Sequence, residues 1–553
     1  MGVPPRVLSP DHSFRLTGQF EVTLRGPRLS TRRQIPGPVI PVTQGPRDRC
    51  SGPRRTLAPR SAAPVSDRRA HLASLSPSPP ERHTLVPRTT RHIVVSHTRR
   101  IERHTVNDGT AAHPAPTGAQ LPHVVVVGGG FAGLATVKAL AGAPVRVTLI
   151  DRRVYNTFQP LLYQVATGGL NPGDVTYFLR ALRLGQRNVR VVHEHLVGLD
   201  PHSKTLRLLN DEEIRYDYLV LANGVTTNFF GTPGAKEHAF AMYSRSQALK
   251  IRDTLFVRLE KSAASPGTDD GLRVVVVGGG STGVEVAGAL AELRTQGLAP
   301  AYPEIHGDAF SVKIVQRGTE LIKPFPAKLR TYAARELQRR GVDLHLGAGV
   351  AKVLPDGVEL TDGDFIRSDL TIWAAGVAPH EEVSRWNLPL GDGGRIRVGD
   401  DLQVEGFPDH FAAGDVAVSP AGLPQLAQPA IQSGKVVGRN VRALVEGRPT
   451  TSLRYLDKGT MAVIGRRAAV ADIAGKLRLT RGTAWLAWLF VHIMSLIGPR
   501  NRLTTLAGLV TRYGFPFHRR PVPIVGDVPT VRPPKGWVPA DGPAPLPEVT
   551  PND

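Results

Sequence analysis

Apolar positions along this chain gather in short unbroken runs that end in glycine. Val124–Val127 runs into Gly128–Gly130, and 150 residues later Val274–Val277 runs into Gly278–Gly280. Such a run, closed by a glycine turn, is the pattern of a strand buried on both faces in a parallel sheet. VRVTLID (Val145–Asp151) and SVKIVQ (Ser311–Gln316) read as the second strand of each unit. RYDYLVLANG (Arg215–Gly224) and LTIWAAG (Leu370–Gly376) read as later strands. The Ala-rich stretch after each glycine turn predicts a helix. HFAAGDVA (His410–Ala417) predicts a return to the first unit, and a helix is expected from Pro429 to a stop at Gly447. The alternation predicts an α/β fold of two Rossmann-like, doubly wound dinucleotide-binding domains.

Past this body the period changes. Trp485, Trp488, Leu489, Phe490, Ile493, Leu496 and Ile497 recur near helical spacing, followed by Arg500, Arg502 and the apolar stretch Leu503–Val510. Aromatics beside arginines suit an amphipathic helix lying in a lipid headgroup layer. A core helix or a homodimer-pairing helix is the alternative. The longest apolar stretch, Ala484–Ile497, is 14 residues, short of the roughly 18 a spanning helix needs. The expected division is 1–120, an Arg/Pro-rich disordered extension; 121–265, the first part of the first dinucleotide-binding domain; and 266–380, the second dinucleotide-binding domain. Residues 381–450 return to the first domain and carry the helix expected from Pro429, 451–520 form a membrane-association or dimerisation region, and 521–553 a Pro-rich tail.

The net charge of +22 favours anionic partners, but it is uneven. Residues 1–120 hold 19 Arg, no Lys and 7 acids. This segment buries too little apolar surface to offset its chain entropy. It reads as a dispensable extension from an upstream start, as a transit-type segment, or as an anion-binding arm. It lacks interleaved aromatics and any basic-helix period, which disfavours nucleic acid as partner. The single cysteine, Cys50, excludes both an internal disulfide framework and a paired-cysteine redox centre.

The glycine loops carry the chemistry. Gly128 permits the tight turn, Gly130 lets the backbone approach a diphosphate, and Gly133 lets helix and strand pack closely. The anion then sits on a helix N-terminus, where N–H groups and dipole favour it. Asp151 ends the second strand about 20 residues on, where a carboxylate accepts from ribose hydroxyls. Gly278, Gly280 and Gly283 repeat the pattern with Ser281 and Thr282. At the position matching Asp151, however, stands Gln316, followed by Arg317. A carboxylate there repels a 2′-phosphate; a neutral amide beside an arginine does not. NADPH is therefore expected to be tolerated as well as NADH. In the other reading, Gln316 still bonds the ribose and NADH stays preferred. Glu285 is expected on the first turn of the second helix, near the nicotinamide end or simply as a favourable acid at a helix N-terminus. Two dinucleotide loops one domain length apart imply a flavoprotein fed by a nicotinamide cofactor.

Those motifs, with FQPLLYQVATGGL (Phe158–Leu170), TIWAAGV (Thr371–Val377), AAGDVA around Asp415, AQPAIQSG (Ala427–Gly434) and FVHIMSLIGPRNR (Phe490–Arg502), resemble the type II NADH:quinone oxidoreductases over about residues 121–515. The resemblance implies non-covalent FAD on the first unit, at Gly128, Gly130, Phe131, Ala132, Gly133, Asp151, Arg152, Gln159, Gly224, Gly376, Gly414, Asp415, Ala427 and Gln428. It implies NAD(P)H on the second, at Gly278, Gly280, Ser281, Thr282, Gly283, Glu285, Gln316, Arg317 and Gly376. Gln428 and Gln432, four apart on one helix face, would meet the quinone carbonyls, with Ala430 leaving room between them; with Glu285 they are the candidate catalytic residues. Phe158, Gln159, Pro160, Leu161 and Tyr163 would pack around flavin and quinone. Asp415 would bond the cofactor or cap the following helix. Asn223 departs from the family at a backbone-turn position, where little effect is expected.

The implied activity is hydride transfer from NADH to FAD, then two-electron reduction of a membrane quinone, menaquinone or ubiquinone, without proton pumping. A peripheral enzyme at the cytoplasmic face of a bacterial membrane is expected, in contact with lipid and able to form a homodimer. The alternative is a soluble NAD(P)H-dependent flavoprotein reductase for a protein or dye acceptor. No metal is expected, and His492 and His518 read as interfacial or surface groups.

Overall fold

The computed structural model describes residues 121–264, 271–298, 301–305 and 309–514. The segments 1–120 and 521–553, with Cys50, and also His518, lie outside the described residues.

Two sheets organise the body. The first has six strands in the order Gln403–Val404, Phe407–Ala412, Tyr218–Leu221, His123–Val127, Arg146–Asp151, Val189–His193. All neighbours are parallel except the edge pair formed by Gln403–Val404 and Phe407–Ala412. The second has five strands, all parallel: Ala239–Ala241, Leu370–Trp373, Leu272–Val277, Phe310–Gln316, Val342–Leu346. The valine runs are the central strands of their sheets, and Val124, Val125, Val126 and Val276 are wholly buried. Burial on both faces is the physical reason their sequence is continuous rather than alternating. His410–Ala412 pairs with Leu219–Leu221, so the chain does return to the first sheet after completing the second.

One segment sits elsewhere than expected. Ala239–Ala241 and the helix Arg245–Ala264 fall inside the stretch assigned to the first unit. Yet Ala239–Ala241 pairs with Leu370–Trp373, and Ile251, Leu255 and Leu259 share a core with Leu272, Val274 and Val276. The chain therefore crosses to the second sheet before Ala239. The composition breaks only at the polar stretch before Leu272, and that later break misplaces the boundary.

The helix Ala427–Val445 starts two residues before Pro429. It crosses the helix Phe131–Ala139 at close range. A Cβ on Gly434 would stand 2.2 Å from the Ala132 carbonyl oxygen, and one on Gly438 would meet Ala139 at 2.6 Å. The Thr136 hydroxyl donates to the Gly434 carbonyl across the contact (3.0 Å). These small residues at i and i+4 seat the second helix against the glycine-loop helix.

The C-terminal part is a three-stranded antiparallel sheet (Thr460–Gly465, Ala468–Ile473, Leu477–Thr480) followed by the helices Arg481–Ser495 and Pro499–Gly514. The apolar residues expected to face lipid together are divided. Ala484, Trp488, Ile493 and Leu496 are buried, whereas Leu486, Phe490, Val491, Met494, Leu503, Leu506 and Val510 are exposed. Both faces of the first of these helices are apolar because one packs on the sheet, and periodicity by itself does not separate the two. No helix among the described residues is long and apolar enough to cross a membrane.

Candidate functional site

The two glycine loops have the same geometry. Gly128 and Gly278 adopt φ of +102° and +112°, values that L side chains avoid. A Cβ there would lie 2.3 and 2.7 Å from the Ala222 and Ala374 carbonyl oxygens, at the ends of the neighbouring strands. Gly133 and Gly283 pack onto the Gly128 and Gly278 carbonyls, at 1.8 and 1.9 Å from a built Cβ, whereas Gly130 and Gly280 face open space. Neither helix, Phe131–Ala139 or Ser281–Glu292, has a side-chain cap. Their first N–H groups are thus left for an anion.

Asp151 and Gln316 also correspond. The Gly129 N–H donates to Asp151 Oδ2 (2.5 Å), and the Gly279 N–H donates to Gln316 Oε1 (2.8 Å). Each side chain thus braces the middle glycine of its own loop. Burial raises the Asp151 pKa against the pull of its two backbone donors, Gly129 and Arg153. Arg317 is exposed at the mouth of the second loop.

A cavity of about 430 Å³ opens on the first loop. Of the residues expected to hold FAD, Gly128, Gly130, Phe131, Ala132, Asp151, Arg152, Gln159, Gly224, Gly414 and Asp415 line it. Gly133, Gly376, Ala427 and Gln428 do not; the helix Ala427–Val445 reaches the cavity through Ala430. Thr157 Oγ1, Gln159 Oε1, Asn223 Oδ1 and Trp386 Nε1 are buried with no partner among the described residues, and all four residues line the cavity. Unpaired buried polar atoms are costly unless a ligand satisfies them. With the open cradle at Gly130, they fit a large polar dinucleotide such as FAD. Asn223 is thus a lining side chain as well as a turn residue. Asp415 stands in the short turn Gly414–Val416, where burial lifts its pKa to about 6. It caps no helix: the next one begins at Ala427, after Leu426. Ser433 Oγ instead accepts from the Gly414 N–H (3.1 Å), tying this turn to the helix.

The sequence reading missed the far end of the cavity. His195 and Glu382 pair there at 3.1 Å, and Arg152 stands 3.4 Å from His380. Burial and the neighbouring Arg152 lower the His380 pKa to about 4. These residues lie outside any motif, in segments that only the fold brings to the loop.

Other expected residues lie apart from the cavity. Phe158, Leu161 and Tyr163 belong to the hydrophobic core. Phe158 meets Phe131 edge-on (5.8 Å). Glu285 is the fifth residue of its helix, one turn beyond the N-terminus, so the dipole reading does not hold. It is buried, accepts from the Val463 N–H of the C-terminal sheet (3.3 Å), and burial raises its pKa to about 8. His492 is half-buried. It stacks on Trp488 at 4.3 Å, its Nδ1 donates to the Trp488 carbonyl (2.8 Å), and burial lowers its pKa to about 4. Gln432 and Gln428 share the helix, but among the described residues only the Gln432 side chain is hydrogen-bonded, to the backbone of Leu456.

Two parallel sheets with matched glycine loops, one opening on a cavity built for a dinucleotide, define a pyridine nucleotide-dependent flavoprotein. The family model for pyridine nucleotide-disulphide oxidoreductases matches residues 122–434. Within that class the chain belongs to the type II NADH:quinone oxidoreductase family. It is 34% identical over 400 residues to the type II NADH:quinone oxidoreductase Ndh of Mycobacterium tuberculosis, covering 69% of this chain and 86% of that one. It is 36% identical over 405 residues to NdhA of the same organism, covering 69% and 85%. The structure of NDH2 from Plasmodium falciparum in complex with NADH has the same fold, with a TM-score of 0.67 over 74% of this chain and 100% of that one, at 20% identity.

Proposed function

We propose that this chain is an FAD-dependent NADH:quinone oxidoreductase: NADH, a proton and a quinone give NAD⁺ and quinol, without proton pumping. The carrying observation is the duplicated loop, with unpartnered polar atoms lining the cavity at the first copy. FAD, when bound, supplies the ring that takes up two electrons and gives them back. The protein's own work is positional. The N–H groups at Phe131–Ala139 hold the diphosphate, Asp151 braces the loop and meets the ribose, and Gln159, Asn223 and Asp415 orient the remainder. The second loop, with Ser281, Thr282, Gln316 and Arg317, binds NADH and tolerates NADPH. Residues 121–265 and 381–450 serve FAD and residues 266–380 serve NAD(P)H, with the stretch from Ala239 packed on the second sheet.

Gln428 meets the quinone, menaquinone or ubiquinone, near the cavity wall formed by Ala430. Glu285, neutral at pH 7 by virtue of its raised pKa, serves as a buried proton store between the nucleotide helix and the C-terminal sheet. The exposed apolar residues of the last two helices support a peripheral position on the lipid of a bacterial membrane and offer a surface for a homodimer; the side proposed is the cytoplasmic face.

The test is steady-state NADH oxidation by the FAD-loaded protein with a short-chain quinone. Rapid turnover is expected, and Gln428→Ala should lose most of it while NADH still bleaches the flavin in rapid mixing. A wild type that bleaches with NADH yet ignores quinones would refute the reading.

A further inference from the structure

Residues 450–459 carry no regular secondary structure and join the helix Ala427–Val445 to the strand Thr460–Gly465. They lie back along the helix they have just left. Asn440, 1% exposed, takes the N–H and the hydroxyl of Thr451 on its Oδ1 (3.0 Å each) and donates from Nδ2 to the Thr451 carbonyl (2.9 Å). Two turns closer to the helix start, Gln432 repeats the device. Its Nε2 donates to the Leu456 carbonyl (2.9 Å), and the Leu456 N–H donates to its Oε1 (3.0 Å). Eight helical residues rise about 12 Å, and five extended residues reach about 17 Å. Two carboxamides on one helix thus grip the backbone of two residues of a strap that runs antiparallel to it, toward the end that carries Gln428.

The strap is otherwise lightly held. The Leu453 N–H donates to the Asp400 carbonyl (2.7 Å). From there to Gly459, the hydrogen bonds to another element among the described residues are the two made by Gln432. Gln428, one turn earlier, makes no side-chain hydrogen bond among the described residues. The two glutamines of AQPAIQ therefore stand in different chemical states. One amide has no partner among the described residues; the other has its carbonyl and one N–H committed to the N–H and C=O of Leu456, which fixes the plane of its amide.

We propose that Gln432 is a positioning residue and not a quinone ligand: it clamps the strap 450–459 to the helix and so sets the protein wall at the end of the helix where Gln428 meets the acceptor. This rests on the reading of that helix as the quinone site. The same clamp fixes the approach to the strand whose Val463 N–H reaches Glu285, so one side chain ties the acceptor helix to the buried acid.

The test combines hydrogen exchange by mass spectrometry with quinone kinetics on the full-length, FAD-loaded chain. Gln432→Ala should speed exchange in peptides spanning 453–458 roughly five- to tenfold, the scale of one lost net hydrogen bond or somewhat more. It should raise the quinone KM more than it lowers kcat. Gln432→Glu keeps an acceptor for the Leu456 N–H, loses the donor, and should fall between. Gln428→Ala should leave exchange in 453–458 unchanged. If Gln432→Ala lowers quinone turnover while the strap exchanges as in wild type, Gln432 is a direct ligand and the clamp is refuted. If the wild type reduces no quinone, the acceptor-site reading fails instead, and the exchange data still judge the clamp.

Discussion

Asp151 and Gln316 hold one position in two copies of one loop, and both accept from the N–H of the middle glycine. The bracing needs only an oxygen acceptor, so either residue serves it. What differs is charge. A carboxylate beside a 2′-phosphate is repulsive, and the amide of Gln316, next to the exposed Arg317, is not. NADPH should therefore support turnover within about 100-fold of NADH in kcat/KM, and Gln316→Glu, which keeps the bracing oxygen, should shift the ratio toward NADH by about 10-fold, one ordinary charge interaction. A wild-type preference for NADH already beyond that window would refute the argument.

Glu285 shows a different residue-scale effect. Its pKa is raised by burial from an ordinary carboxylate value to about 8. The unfolded chain ionises above about pH 4.5 and the folded chain only near 8. Stability from this group is therefore complete below pH 4.5 and is lost as pH rises to 8. Glu285→Gln keeps an oxygen for the Val463 N–H and removes the titration. Its Tm should match wild type near pH 4.5 and exceed it by a few degrees at pH 8.5, as measured by calorimetry on the FAD-loaded protein.

At the scale of elements, the helix Arg481–Ser495 is apolar on both faces, one buried and one exposed. Trp488 and Ile493 are buried in the core, Trp488 beside the Tyr163 ring (6.3 Å), while Leu486, Phe490 and Met494 face outward. The next helix adds Leu503, Leu506 and Val510 to the exposed apolar set. Such a surface is costly in water and favourable at a lipid interface. Phe490→Asp combined with Leu503→Asp should cut co-sedimentation with anionic vesicles by about 10-fold or more, since each loses a buried apolar side chain worth over 1 kcal/mol. Turnover with a water-soluble quinone should persist. Unchanged vesicle binding would assign these residues to a protein partner or a second copy. The helical period was legible in the sequence; which stripe meets the sheet was not, because both stripes are apolar.

At the scale of the whole molecule, the two glycine loops stand on separate sheets, and the proposed function gives each its own ligand. Gly128→Ala forces a side chain into the Ala222 carbonyl at φ +102° and should yield protein that does not retain FAD, read as loss of the 450 nm absorbance. Gly278→Ala, with the same clash at Ala374, should keep FAD and lose its reduction by NADH. If both variants lose FAD equally, the loops are not independent and the division of labour between the sheets is wrong.

The sequence by itself determined the strands, the two loops, the α/β class and the family, because valine runs, glycine spacing and an acid at a strand end are local patterns with local physical causes. It also carried most of the first site: Gly128 to Gly133, Asp151, Gln159, Gly224 and Asp415 all meet at one cavity or loop. The tertiary structure decided what depends on partners distant in the chain. It moved Ala239–Ala241 to the second sheet, placed Glu285 under the C-terminal sheet, and brought His195, His380 and Glu382 to the cavity's far end. It also separated Gln428 from Gln432. Side chains identical in type and sharing one helix face differ only in what packs against them, and a strap returning from 24 residues away leaves no trace in the spacing of the motif it engages.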